Sequence, residues 1–530
     1  MQFSGQLKSK IITPRTSLVE TYKILFGSQL INENDLEDSH ESERSQISSI
    51  HSNSSQNERE KAVSQLQLKI EPFFISLSKQ KDLYDKYNIN SNVETFKLTP
   101  FGSAMFGGYD KNSDIDVLLQ SFDYLLSREE FFSKFAVYLR SEHVQANIQQ
   151  EIPYAQIPII KFEFMSKQFD LLYCSMLPPQ NQTQKRQLED DEFYQNMENV
   201  VNEKCNILSF RGWSNCHYIY KKIRDKECYS WCLKIIKTWA KQRGIYGFNF
   251  GYLNGISLII MLAKADQLIF KDITSNNVSS EKILGLNESF VGDEDVIYSF
   301  SQQISKKLDV RVQETIFRFF EIFSNWDYKD PIFIQELPDW HLDQDLYFVA
   351  SKEIFPVITP EKPYKCTTHQ MTAGAKKQIV NELQRAQNLC TLIQKRDVIQ
   401  NLIKQQYEPE NNEELYERNS DLRHIRKESY DLDILNDFAQ ITWKELFNPY
   451  QFFNENGTFV QIEVLTEVYS DKQPLSQGKK GKALASRVKV AQTLHHEYKG
   501  LYESRFKLFQ SFLQLHLGID DIQIFADCID

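Results

Sequence analysis

Three aspartates and a Gly-Ser pair carry the most specific chemistry in this chain. Phe101-Gly102-Ser103 is followed by Asp114-Ile115-Asp116, and a third acid, Asp170, stands alone in the apolar run Phe169-Asp170-Leu171-Leu172. Asp114 and Asp116, two apart in a predicted strand, send their carboxylates off the same face, while Ile115 and Val117 point into the core and fix that register. Carboxylates aimed at one point repel unless a cation lies between them, and Mg2+ is the usual hard, oxygen-seeking answer. Asp170 sits where an unpaired charge is costly. If its strand lies beside that of Asp114 and Asp116, the three acids can hold two ions about 4 Å apart. One ion would activate an attacking hydroxyl and the other would hold a triphosphate and stabilise the leaving pyrophosphate. The Gly-Ser turn, where a strand would feed a helix N-terminus, offers N–H groups and a hydroxyl to that polyphosphate.

The elements that must position these groups follow from periodicity. Strands are predicted over Asp114–Leu119 and Phe162–Cys174, with a helical Leu126–Ser141 between them. Tyr229 to Gln267 reads as helical and strongly apolar. From Pro356 onward helices and strands mix, with a strand-like Gly457–Tyr469 and a helix from about Val488 to Leu517. Three polar stretches punctuate the chain: Ile31–Glu60, Leu177–Glu192 and Gln405–Asp433. The first holds eight acidic residues, two basic ones and eight serines, too little apolar surface to order itself. It is expected to be a mobile insertion between an amphipathic Ser17–Phe26 and a helix starting near Arg59.

Gly-Ser, a spacer, Asp-x-Asp and a later Asp together resemble the signature of the DNA-polymerase-β-like nucleotidyltransferases. The likeness narrows to eukaryotic nuclear-type poly(A) polymerases through Pro158-Ile-Ile-Lys161-Phe and Ile236-Lys237-Thr-Trp239-Ala-Lys-Gln-Arg243-Gly-Ile-Tyr246. It continues in Phe355-Pro-Val-Ile-Thr-Pro360 with Thr368-His369, in Trp443-Lys-Glu-Leu-Phe-Asn-Pro-Tyr450 and in Glu503-Ser504-Arg505. The resemblance implies an α+β fold of three domains. An N-terminal helical segment (1–30) and the insertion (31–58) would precede a nucleotidyltransferase catalytic domain (59–200). A central helical domain (201–355) and a C-terminal RNA-recognition-like domain (356–530) would follow.

It also implies roles. Asp114, Asp116 and Asp170 would be metal ligands for two Mg2+ (or Mn2+) ions, with Asp170 also activating the RNA 3′-hydroxyl. Phe101, Gly102 and Ser103 would cradle the nucleotide, and Lys161 would face it from the neighbouring strand. Lys237 would reach the phosphates, Tyr246 would contact the nucleotide, and Gly255 and Ile256 would approach it by backbone. Plain structure also accounts for several of these: Lys234, Lys237 and Lys241 share a helix face that solvation alone would explain, and an isolated tyrosine such as Tyr246 often only packs. The activity implied is template-independent transfer of AMP from ATP to an RNA 3′ end. The rivals are a terminal uridylyltransferase and, from another class, an inactive RNA-binding scaffold.

Departures from the family pattern bear on base choice. Asn254-Gly255 stands where the family has Gly-Gly, Arg211 where it has Asn, and Phe248 where a further Asn is usual. For RNA, Lys479, Lys480, Lys482 and Arg487 crowd a loop that would grip phosphates, although a flexible basic loop or an import signal accounts for them equally.

Composition sets outer bounds. The 530 residues suit about three domains, and 41% apolar with 25% charged residues excludes wholesale disorder. Eight cysteines without a C-x-x-C pair read as free thiols in a reducing compartment, and no apolar run approaches the ~18 residues of a membrane span. A soluble monomer is expected, nuclear by resemblance with the cytoplasm as the alternative, meeting 3′-end processing factors. The net charge of −11 argues against general nucleic-acid coating, yet residues 201–250 carry ten basic and three acidic side chains. Positive charge is concentrated where phosphates would be handled.

Overall fold

The computed structural model describes residues 12–27, 44–80, 95–109, 113–155, 157–176, 204–278, 307–335, 339–407 and 440–450. A five-stranded mixed sheet carries Asp116 and Asp170. Its strands are β1 (Phe96–Pro100), β2 (Ile115–Phe122), β3 (Asn147–Ile152), β4 (Ile159–Phe164) and β5 (Lys167–Met176), in the order β1-β2-β5-β4-β3. β2 and β5 run parallel, and the other pairs are antiparallel. The near-continuous apolar run of β2 is what a central strand covered on both faces requires. Ile115, Val117, Leu118 and Leu119 are accordingly all buried.

Two expectations about this region change. The stretch Phe162–Cys174 is a hairpin, β4–β5, and not one strand. Met165 and Ser166 turn it with φ of 51° and 57°, a left-handed pair lacking the glycine or asparagine that usually announces such a turn. The helix expected near Arg59 begins earlier, as α2 (Arg44–Gln80). Residues 44–71 contain neither Gly nor Pro, and a helix closes its backbone bonds within itself without needing burial. Phe74 of α2 stacks on Phe96 of β1 with ring centroids 4.4 Å apart. The expected helix at Leu126–Ser141 consists of three joined pieces, Arg128–Glu130, Phe131–Phe135 and Ala136–Arg140, together α3. A Ser127/Glu130 capping box starts it, and Phe131 stacks on Tyr173 of β5.

The remaining described residues are mainly helical: α4 (Lys204–Lys222), α5 (Lys226–Gln242), α6 (Gly255–Val278), α7 (Leu308–Ser324), α8 (Gln344–Ala350) and α9 (Ala373–Tyr407). α5 buries Trp231, Ile235, Ile236 and Trp239, which leaves its lysines on the opposite face. The N-terminal helix α1 (Leu18–Phe26) packs here and not on the sheet: Tyr22 meets Trp231 and Phe447 edge-on. Residues of 356–396 pack on the preceding helices. Val357 bridges to Ile332, α9 lies on α7, and Arg243 at the end of α5 grips Glu382 of α9 with two bonds of 2.8 Å. One core runs from Leu18 to Phe447. A satellite core of Phe333, Leu346, Ile358, Tyr364 and Cys366 sits beside it.

Cys174, Cys216, Cys228, Cys232, Cys366 and Cys390 are free, and no helix among the described residues is long and apolar enough to cross a membrane. The expected elements at Gly457–Tyr469 and Val488–Leu517, the stretch Leu177–Glu192 and most of Gln405–Asp433 lie outside the described residues.

Candidate active site

Strand register arranges the central charges. Parallel pairing sets Asp116 directly beside Asp170, and antiparallel pairing sets Lys161 on the far side of Asp170. Three adjacent strands thus present Asp116, Asp170 and Lys161 as one row. Lys161 Nζ donates to Asp170 Oδ2 at 2.5 Å. Asp114 falls one residue before β2 and is exposed, so it belongs to the incoming loop. Burial pushes the Asp116 carboxyl up to about 7, and the negative charges of Asp170 and Asp114 add to the rise against the pull of Lys161 and Lys237. Burial also raises Asp170, opposed by its bond to Lys161.

This oxygen-only donor set, crowded enough to hold a proton that aspartate usually sheds, has the chemistry that Mg2+ relieves. Among the described residues no three acidic, His or Cys side chains are close enough to share an ion. Asp170 accepts a bond from Lys161, which sets a positive charge beside it.

The Gly-Ser turn closes over the row. Gly102 has a left-handed φ of 63° and opens a single 3-10 turn, Gly102–Ala104. A Cβ on Gly102 would lie 2.4 Å from Asp116 Oδ2, so only glycine lets the backbone pass this close to the carboxylate. The Phe101 N–H donates to the Asp116 carbonyl at 3.0 Å. Cys216 of α4 lies under the turn, its thiol pushed up to about 12 by burial with the Asp116 charge adding to the rise.

Across from the acids stands α5. Lys237 Nζ reaches the Gly108 carbonyl at 3.4 Å and Ser113 Oγ at 3.5 Å, fastening the loop that leads into Asp114. Between the two walls lies a cleft of about 610 Å³. The structure brings to its lining nine of the residues singled out in the sequence: Phe101, Gly102, Ser103, Asp114, Asp116, Lys237, Tyr246, Gly255 and Ile256. Asp170 and Lys161, paired to each other, are off the lining. Lys479, Lys480, Lys482 and Arg487 lie outside the described residues.

The lining adds residues that the sequence did not assign to the site: Arg211, Asn215, Lys241, Thr359 and Lys365. Arg211 and Asn215 both engage Glu361. Arg211 Nη1 lies 3.3 Å from its carboxylate, and the Glu361 N–H donates to Asn215 Oδ1 at 3.2 Å. Their spacing of four on a helix was a usable signal. Thr359 and Lys365 gave none, because tertiary packing alone returns them to the cleft. Asn254 is committed to structure: its Oδ1 accepts from the Ser257 N–H at 2.9 Å, capping α6, and its Nδ2 donates to the Thr367 carbonyl at 3.1 Å. Phe248 meets His369 edge-on at 5.1 Å.

A mixed sheet with its acids set in register, closed by a Gly-Ser turn, is the sheet of a nucleotidyltransferase. The chain belongs to the poly(A) polymerase family: residues 32–203 match the family's nucleotidyltransferase domain, and residues 228–283 and 309–405 match its central domain. It is 26% identical over 362 residues to the poly(A) polymerase PAPalpha of Candida albicans, covering 67% of this chain and 56% of that one. Identity to the poly(A) polymerase pla1 of Schizosaccharomyces pombe is 27% over 333 residues, 62% of this chain and 50% of the relative. The chain therefore spans about half the length of these curated relatives. Among solved structures it is similar to the Cid1 poly(U) polymerase at 15% identity and a TM-score of 0.40, covering 70% of this chain and 94% of that one.

Proposed function

We propose that the chain is a template-independent polynucleotide adenylyltransferase that moves AMP from ATP to an RNA 3′-hydroxyl and releases pyrophosphate. The observation that carries this is the Asp116–Asp170–Lys161 row beneath a cleft whose opposite wall is the basic face of α5, in a chain of the poly(A) polymerase family. Asp114, Asp116 and Asp170 would hold two Mg2+ (or Mn2+) ions, which when bound supply Lewis acidity at the phosphate and lower the pKa of the attacking hydroxyl. Asp170, beyond Asp116 along the row, takes the proton of the primer hydroxyl. Ser103 and the N–H groups of its turn hold phosphate oxygens while Lys237 balances their charge. Tyr246, Gly255 and Ile256 line the nucleoside end, and Lys161 steadies Asp170 and faces the nucleotide. The acidic wall stands on the sheet and the basic wall on α5, so closure on substrate would bring them together.

The three-domain organisation is part of this reading. A catalytic unit, a central helical unit and an RNA-recognition-like unit would follow one another along the chain. That third unit would present Lys479, Lys480, Lys482 and Arg487 to RNA phosphates. A monomer working in the nucleus with 3′-end processing factors completes the proposal.

The deciding experiment offers each of the four nucleoside triphosphates separately to the purified protein with an oligo(A) primer and Mg2+. Extension with ATP above the other three supports the reading. Preferential UTP use makes the protein a uridylyltransferase, and no extension with any nucleotide makes it a scaffold.

A further inference from the structure

We propose that Lys23 and Lys234 form an outer anion subsite for the pyrophosphate end of the triphosphate, on the path by which the leaving group departs. This deepens the nucleotidyl-transfer reading and rests on it. The Nζ atoms of Lys23 and Lys234 lie 5.1 Å and 4.9 Å from the centroid of one ring, that of Trp231, and Lys234 Nζ is 5.7 Å from the Tyr109 ring. Neither lysine has an ion-pair partner among the described residues. Two ammonium groups drawn to one indole repel each other, and the ring's attraction for each offsets that only in part. Burial lowers Lys234 to about 8, and the charge of Lys23 adds to the fall. A bound anion would relieve both the crowding and the desolvation.

Position identifies the anion. Lys234 is one turn before Lys237 on α5, and Lys237 touches Gly108 and Ser113. Lys237 meets Gly108 and Ser113, Lys234 lies over the Tyr109 ring that Arg59 also covers at 4.5 Å, and Lys23 of α1 joins Lys234 at Trp231. Lys237 lines the cleft and Lys234 does not, so the basic face of α5 continues beyond the lining. Asp170, assigned to the primer hydroxyl, lies on the other side of Asp116 in the sheet. The lysine pair extends the α5 face of Lys237, the residue assigned to the phosphates, and shares no element with Asp170, assigned to the primer hydroxyl. A polyphosphate fits there better than an RNA backbone.

The test uses the full chain and inorganic pyrophosphate with Mg2+ as the probe. Pyrophosphate binding is measured by calorimetry, and pyrophosphate inhibition by primer extension, for the parent, Lys23→Ala, Lys234→Ala and Lys234→Arg. The expected result is about three- to fivefold weaker pyrophosphate binding for each alanine variant, the usual effect of losing one partly solvated charge contact, with near-parental binding for Lys234→Arg. Affinity for oligo(A) stays unchanged, and the Tm of each alanine variant equals or exceeds the parent's because a like-charge repulsion is gone. Unchanged pyrophosphate binding overturns the proposal. So does a loss confined to oligo(A), which would make the pair an RNA contact, or a fall in Tm without a binding change, which would make it a packing feature. A parent protein that extends no primer with any nucleotide overturns the transfer reading instead, and the pyrophosphate titration reports separately from it.

Discussion

On the sheet side of the cleft, Asp116, Asp170 and Lys161 are neighbours because three strands hydrogen-bond in one register. On the helix side, Lys234, Lys237 and Lys241 are neighbours because α5 repeats about every 3.6 residues. The first arrangement is stiff and short-armed. A carboxylate one methylene from the backbone cannot retreat, so burial, with the charges of Asp170 and Asp114 adding, pushes Asp116 up to about 7. The second is long-armed: each lysine carries a four-carbon stem that lets the charge follow a moving phosphate. The acidic wall fixes where chemistry happens, and the basic wall accommodates what passes through.

Asp116→Asn tests the stiff wall most severely. Activity is expected to fall by about 10³-fold or more, as for loss of a group aimed at developing charge, measured as kcat in primer extension. Stability should move the other way. The folded carboxyl titrates near 7 and the unfolded one near 3.9, so the folded protein binds more protons between those values. Stability from this group is full below about pH 4 and is lost as pH rises through about 7. In EDTA the parent's Tm should therefore decline across that window more steeply than the Asp116→Asn Tm, which keeps only the raised Asp170 and Asp266. Added Mg2+ should flatten the parent's profile. A parent Tm that rises from pH 5 to 7 while the variant's stays level would show that the crowding is not there.

Gly102→Ala is the next largest effect. The new Cβ would meet Asp116 Oδ2 at 2.4 Å in a left-handed backbone, which costs about 1–3 kcal/mol of stability and displaces the carboxylate. Activity should fall about 10²-fold, because small misplacements at the reacting centre cost that much. A variant with parental kcat would mean the turn is free to move away from the acid.

Lys161→Ala should act more weakly, by about five- to tenfold on kcat/KM, since it removes one charge beside Asp170 and no metal ligand. The apparent Mg2+ requirement should fall, because the ammonium no longer bonds to Asp170. An increased Mg2+ requirement would show that Lys161 helps to assemble the site rather than to occupy it.

The stiff wall was the more legible of the two. Asp-Ile-Asp with Val117 behind it reveals which way the carboxylates point, and an isolated Asp170 among apolar neighbours signals a special position. What the sequence did not reveal is that Phe162–Cys174 doubles back, because Met165 and Ser166 hold left-handed φ with no residue-type cue. The row's third member, Lys161, depends on that turn. On the helix side, Lys237 was legible by spacing and resemblance. Thr359, Lys365 and the Arg211–Glu361 contact were not, since they depend on residues some 150 positions apart meeting in space. The packing of α1 against Trp231 was hidden for the same reason, and it is what brings Lys23 to Lys234.

Asn254 gives the smallest expected effect and the sharpest discrimination. Placed where the family has glycine, it raises the question of base choice, yet both polar ends of its side chain are already engaged, one with the Ser257 N–H and one with the Thr367 carbonyl. An amide holding two protein bonds reads a base only by releasing one of them. Asn254→Gly should therefore cost about 1 kcal/mol, a few tenths from the cap and the rest from the lost bond to Thr367, read as a small drop in Tm. The ratio of ATP to UTP incorporation should remain within about twofold of the parent's, since no contact to the base is removed. If the ratio instead shifts more than tenfold, the difference corresponds to about 1.4 kcal/mol of discrimination. The Asn254 amide would then have to leave Thr367 when nucleotide binds, and the start of α6 would reach the base.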